Sequence, residues 1–415
     1  MHYLLFFIYL GLITYFLPKI PFIRKSGLKN GEIRLLLLLK IFVGSLYCWL
    51  SIHFYNPHND MLSLFRDAKL ETAVLLHSPA NFITNIFSNY PWQSGFCSKI
   101  YDVIYILNNN SIIKVLAVFN LASFNNIYIN SIFFNSLCFF AHIALYRVYA
   151  HIYPGNKIAA VAGCFLLPSL LIFSSAILKD NVMFMALAGI FYGIYFSKRK
   201  FLGARRLPFV GFCFFCLLVI RNYVAAALVP ALFAYWLHQF YGTSKVKTFV
   251  FTYLATVGIL IVLSFLDPEL NVGKIISNKQ KEFLEIGLVN TQLTTDTLHY
   301  SAADFLSTFP LAVNHVFLRP YLWEKASLDT VIFALELFIY LALFAYCIYK
   351  HQKKFKDIHA FVLCTIIFSV SVLLLFGFIV PAYGAIIRYR SIFLPFIIIP
   401  LMNMIKFKHI IYKNI

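Results

Sequence analysis

The sequence predicts an all-α integral membrane protein that crosses the bilayer about eleven times. Three observations predict it: a mean hydropathy of +0.79, a composition 61% hydrophobic and only 12% charged, and long apolar runs that recur from one end to the other. A helix needs roughly 20 apolar residues to cross a hydrocarbon core of about 30 Å. Lipid satisfies no backbone hydrogen bond, so such runs must be helical. At 415 residues eleven spans leave no separate soluble domain, and residues 1–415 read as one integral membrane domain.

The first run, Tyr3 to Leu17, has no basic residues ahead of it and no small-residue cleavage site behind it. It reads as a retained helix rather than a secretory signal. The expected spans are 3–18, 35–54, 131–150, 158–177, 181–197, 208–220, 224–241, 248–266, 329–349, 359–379 and 391–407. With these in place, 21 basic and two acidic residues (Glu32 and Asp357) fall on one side, whereas the other side holds 13 of each. The whole net charge of +19 therefore lies on one face. Cytoplasmic loops carry the excess of lysine and arginine, which puts the N-terminus outside and the C-terminus inside. The charge is an orientation signal and gives no reason to expect nucleic acid as a partner.

Of the eight cysteines seven lie within spans and only Cys97 lies in an outer loop, so no disulfide framework is expected. Cys213 and Cys216, inside the helical stretch CFFC, read as small packing residues. Two outer segments are long, 55–130 and 267–328, and apolar stretches such as FITNIF and DFLSTFPLAVNHVFL inside them predict interfacial helices on the outer surface.

Three tight outer turns deliver charge at membrane depth. LIFSSAILKDNVMF carries Lys179 and Asp180, VIRNYVAA carries Arg221, and GAIIRYRSIF carries Arg388 and Arg390. Charged groups there are costly and usually face a bundle interior or a cavity; the plainer alternative is snorkelling of the arginines and mutual pairing of Lys179 with Asp180. The outer loops add NPHNDMLSLFRDAKLE, with Asp60, Arg66, Asp67 and Glu71, and NHVFLRPYLWEKASLD, with Arg319 and Glu324. Asp60 falls near a helix start, where an N-cap is its plainer role. His58, His299 and His315 have no ligand spacing, so no metal and no cofactor are expected.

Several arginines and a lysine suit an anion, and the arginine fork matches phosphate in particular. An exposed carboxylate beside them supplies a base. This combination suits glycosyl transfer from a polyprenyl-phosphate or polyprenyl-diphosphate sugar to a carbohydrate acceptor at the outer face of the membrane lipid. The arrangement resembles the GT-C membrane glycosyltransferases and the polytopic O-antigen and capsule polymerases of bacteria, and SSAILKDN, FLRPYLWE and GAIIRYRSIFLP are similar to segments of such polysaccharide-assembly proteins. The resemblance implies a bacterial inner-membrane enzyme. It makes Asp60 the base, with Asp67 holding a sugar hydroxyl or pairing with Arg66 or Lys69. Arg66, Lys179, Asp180, Arg221, Arg319, Glu324, Arg388 and Arg390 then bind substrate. The long loop follows the second span rather than the first, which favours the polymerase branch. The competing class is a flippase or transporter of a lipid-linked oligosaccharide, which would place charges midway across the membrane and break its helices there; the expected spans hold only Lys40 and Glu336.

Overall fold

The structure, a computed structural model, describes residues 2–87, 96–197, 203–266, 271–285, 293, 297–324 and 328–405. Lys198, Arg199, Lys200, Lys406, Lys408 and Lys413, six of the 21 basic residues assigned to one side, lie outside these. Among the described residues every regular element is helical. In chain order the helices are α1 (His2–Phe16), α2 (Pro21–Arg24), α3 (Asn30–His53), α4 (Asp60–His77), α5 (Pro79–Thr84), α6 (Phe96–Ser123), α7 (Ile127–Ile152), α8 (Lys157–Val161), α9 (Pro168–Ser175), α10 (Lys179–Tyr195), α11 (Leu207–Ile220), α12 (Asn222–Tyr241), α13 (Lys245–Leu266), α14 (Val272–Glu285), α15 (Ala302–Phe317), α16 (Leu328–Lys356), α17 (Ala360–Ile379) and α18 (Tyr383–Met404).

Nine described helices are long and apolar enough to cross a membrane, and a tenth span results if the bent pair α8–α9 is counted as one. Four differences from the eleven expected spans have physical causes. Segment 55–130 was expected to lie wholly at the surface, yet Val103–Ser123 of α6 is long and apolar enough to cross. Its Asn108, Asn110 and Lys114 break the apolar run in sequence, but each is absorbed by a partner: Asn110 donates to the Ile86 carbonyl at 3.2 Å, and Lys114 pairs with Glu71 at 2.5 Å. The expected span 158–177 is interrupted, because Pro168 drives Leu167 into extended backbone after a turn of π-helix at Ala162–Leu166, and the two halves bend by 47°. The helices at the expected spans 181–197 and 208–220 have 17 and 14 residues, about 26 and 21 Å at 1.5 Å per residue, which leaves both short of the hydrocarbon thickness and outside the candidate spans.

The chain forms two compact units. The first comprises Met1–Val148, Leu171–Phe196 and Gly203–Ala225; the second comprises Tyr149–Leu170, Ser197–Leu202 and Ala226–Ile415. In the first, α10 lies against α11 through Gly189 and Gly193, the small-xxx-small spacing that lets helix backbones approach in lipid. A Cβ on Gly189 would sit 2.6 Å from the Cys213 sulfur, and one on Gly193 would sit 2.3 Å from Val210. Cys213 is thus a packing residue, as its helical setting suggests. Buried amides knit α4, α6 and α7: Asn130 donates to Asn120 at 2.6 Å, and Asn120 donates to Thr72 at 3.0 Å.

In the second unit α17 and α18 share a phenylalanine core, with Phe393 edge-on to Phe368 and Phe376. At Gly377 helix α17 meets the backbone of α15, where an added Cβ would fall 2.4 Å from the Ala312 carbonyl oxygen. Segment 267–328 contributes α14 and α15, neither long enough to count among the candidate spans. Ser301 caps α15 through the Asp304 N–H, and the helix exposes Leu306 and Phe309 while burying Ala312 and Val316.

Candidate functional site

The stretch SSAILKDN explains its charges by position. Helix α9 stops at Ser175 and α10 starts at Lys179, with Leu178 extended between them. Asp180, in the first turn of α10, is 1% exposed; the helix dipole favours a carboxylate there. Its partner comes from the next turn of the chain, where Arg221 Nη2 donates to Asp180 Oδ1 at 3.1 Å. Lys179 donates to Asn108 Oδ1 at 2.8 Å. The same Asn108 side chain donates to the Val219 and Ile220 carbonyls that end α11. Lys179, Asp180 and Arg221 are therefore brought together, as one network across α6, α10 and α11. Arg221 already faces a carboxylate, so an anion arriving there would compete with Asp180.

The second unit brings Arg319 and Arg390 together at the end of α15. Arg390, 4% exposed, donates through Nη1 to the Val316 and Arg319 carbonyls at 2.8 and 2.9 Å. A cation at a helix C-terminus satisfies orphan carbonyls and opposes the dipole. Through Nη1 Arg390 thus braces residues 316–319. Arg319 pairs with Glu324 at 3.1 Å and lies over the Tyr321 ring. Arg388 lies over the ring of Tyr389. His315, 1% exposed, has a partner at neither ring nitrogen among the described residues. Burial, and then the nearby Arg319 charge, push its pKa down to about 4.

Helix α4 holds the expected base. Asn59, not Asp60, is its N-cap, accepting from the Leu62 N–H at 3.1 Å; Asp60 is the first helical residue and is exposed. Asp67 is exposed as well. Glu71 is paired with Lys114. Arg66 and Lys69 line a cavity of about 430 Å³ together with the apolar side chains Ile52, Leu62, Phe65 and Ile127, and no acidic side chain lines it. Arg66 is steered by the Pro57 carbonyl at 3.2 Å, and Lys69 lies 4.6 Å from the Phe65 ring centroid. The cavity can hold an anion with an apolar tail.

Sequence reasoning assigned no role to the two charges inside spans. Each meets one end of α9, within its own unit. Glu336 accepts from the Ser169 N–H at 3.1 and 3.2 Å, from the Ser169 hydroxyl at 3.0 Å and from Tyr340 at 2.6 Å. Lys40 donates to the Ser174 carbonyl at 2.5 Å and the Ser174 hydroxyl at 2.8 Å. Carboxylate at the N-terminus and ammonium at the C-terminus both oppose the dipole. The signal was visible, since ionisable residues in spans are rarely idle, but only the break at Pro168 reveals what they cap. Among the described residues no group of three or more His, Cys, Asp and Glu could hold a metal ion. No family model, curated protein or solved structure matches the chain.

Proposed function

We propose that the chain is a glycosyltransferase of the bacterial cytoplasmic membrane that transfers a sugar or oligosaccharide from a polyprenyl-phosphate or polyprenyl-diphosphate donor during surface polysaccharide assembly. The observation that carries this reading is the cavity on α4, where Arg66 and Lys69 meet apolar side chains with no acid among them. A lipid phosphate needs cations for its oxygens and an apolar wall for the chain behind them. Exposed Asp60 and Asp67 lie on the same helix. In the transfer the acceptor hydroxyl attacks the anomeric carbon and gives its proton to Asp60. The bond from that carbon to the phosphate oxygen breaks, and the departing phosphate is held by Arg66 and Lys69.

The test is deletion of the gene in its host followed by gel analysis of surface polysaccharide. Loss of the long ladder with single units kept identifies a repeat-unit polymerase, and a uniform mobility shift identifies a decorating transferase. An unchanged gel overturns the reading. One observation favours the second class: the α8–α9 break, with Glu336 at the N-terminus of the half-helix, is the kind of discontinuity on which transporters build ion and substrate sites. For a flippase, deletion leaves lipid-linked units complete but confined to the inner leaflet.

A further inference from the structure

The loop that follows α15 presents an aromatic face beside a charged pair. Tyr321 and Trp323 stack with ring centroids 4.9 Å apart and planes 5° from parallel, and Trp323 is 80% exposed. Arg319 lies over the Tyr321 ring and pairs with Glu324. The loop is fixed from beneath. Arg390 holds the Val316 and Arg319 carbonyls, the Tyr321 hydroxyl donates to Asn314 at 2.5 Å, and the Tyr321 N–H donates to Glu324 at 3.1 Å.

Two features set this loop apart from an aromatic belt, in which tryptophans seat at the head-group level and need only an apolar body with a polar tip. The first is the use of a buried arginine to immobilise it. Desolvating a guanidinium is costly, and fixing a loop in advance lowers the ordering cost of binding. The second is His315, one turn before Arg319, buried with neither ring nitrogen partnered among the described residues. A buried polar group without a partner is rare and calls for an occupant of its hydrogen bonds.

We propose that Arg319, Tyr321, Trp323 and Glu324, backed by His315, form a saccharide-binding subsite. The apolar C–H face of a pyranose stacks on the exposed Trp323 ring, while its hydroxyls donate to Glu324 and accept from Arg319. Flat apolar area bordered by a donor fork and a carboxylate matches the two-sided character of a sugar ring. The choice of ligand class rests on the transferase reading.

The experiment uses the full chain in lipid nanodiscs, titrated by calorimetry with oligosaccharides released by mild acid from the host's own surface polysaccharide. Binding is expected, at least tenfold weaker in Trp323→Ala and in Arg319→Ala, and retained within about threefold in Trp323→Phe. Trp323 is 80% exposed and its ring contact is with Tyr321, and size-exclusion profiles check the fold of its variants. Absence of saccharide binding overturns the subsite, as does equal binding by wild type and Trp323→Ala. So does quenching by brominated acyl chains of fluorescence that Trp323→Phe removes, because it places the ring in lipid. Saccharide binding by a chain whose deletion leaves the polysaccharide unchanged keeps the subsite and removes the transferase reading. A lost ladder without saccharide binding does the reverse.

Discussion

At the scale of single residues the charges divide into those spent on structure and those left for chemistry. Asp60→Asn keeps size and removes basicity, and on the transferase reading it slows transfer about a hundredfold or more at normal expression; full complementation of a deletion strain by this variant would move the role to Asp67 or Glu324. Arg221→Ala leaves Asp180, 1% exposed, without its cation. Breaking a fully buried pair costs about 3–5 kcal/mol. Arg221 keeps 18% of its side chain exposed, so a loss of about 1–3 kcal/mol is expected, read as a lower melting temperature in detergent. Asp180→Asn with Arg221→Gln should recover part of it. His315 gives a pH signature. Its folded pKa is depressed from 6.5 to about 4, so the unfolded chain binds the proton more readily and stability falls as pH drops through that window. His315→Phe should flatten the slope; an unchanged slope would assign it to other groups.

At the scale of helices much of the architecture was legible, because long apolar runs such as LLLLLKIFVG and VLCTIIFSVSVLLLFGFIV mark α3 and α17 whatever their neighbours are. What was not legible depends on partners. Helix α6 reads as a surface segment because Asn108, Asn110 and Lys114 look solvated in sequence, and only the carbonyls and Glu71 facing them show otherwise. Of the candidate site residues, Arg390 stands out in sequence by its membrane depth, but no sequence spacing says that its Nη1 reaches two carbonyls, of residues 316 and 319. Lys69 was noticed only as a partner for Asp67, because the wall that makes it part of a cavity comes from α3 and the start of α7. The caps on α9 supply a prediction at this scale. Glu336→Gln keeps an acceptor for the Ser169 N–H and should express near wild-type level, whereas Glu336→Leu orphans that N–H at about 1–3 kcal/mol and should lower the yield of folded protein. Equal yields for both would show that α9 needs no cap.

For the whole molecule the number of crossings decides which loops share a side. If Val103–Ser123 crosses, every loop after it changes sides unless a compensating segment does not cross, and α11, with 14 residues, is a short one. The concentration of positive charge argues for the arrangement in which the turn at Asp180 faces outward. A reporter active only outside the cytoplasm should then work when fused after Asp180 and fail when fused after Lys200. A third fusion in the turn between α6 and α7 reads α6 directly, because activity there and after His53 alike means that α6 does not cross. The opposite pattern at Asp180 and Lys200 would reverse the membrane face on which the α10 turn lies.

The capped ends of α9 also bear on how the chain is made. Lys40 leaves the ribosome 134 residues ahead of the serine whose carbonyl receives it, and Ser169 leaves 167 residues ahead of Glu336. At about 5–20 residues per second each half of the arrangement waits on the order of ten seconds for the other. During that interval a lone ammonium on α3 costs about 2.5–3.5 kcal/mol at mid-membrane. The leucines around Lys40 must carry that cost until Ser174 arrives, so α3 enters the membrane with a charge that only a later helix satisfies.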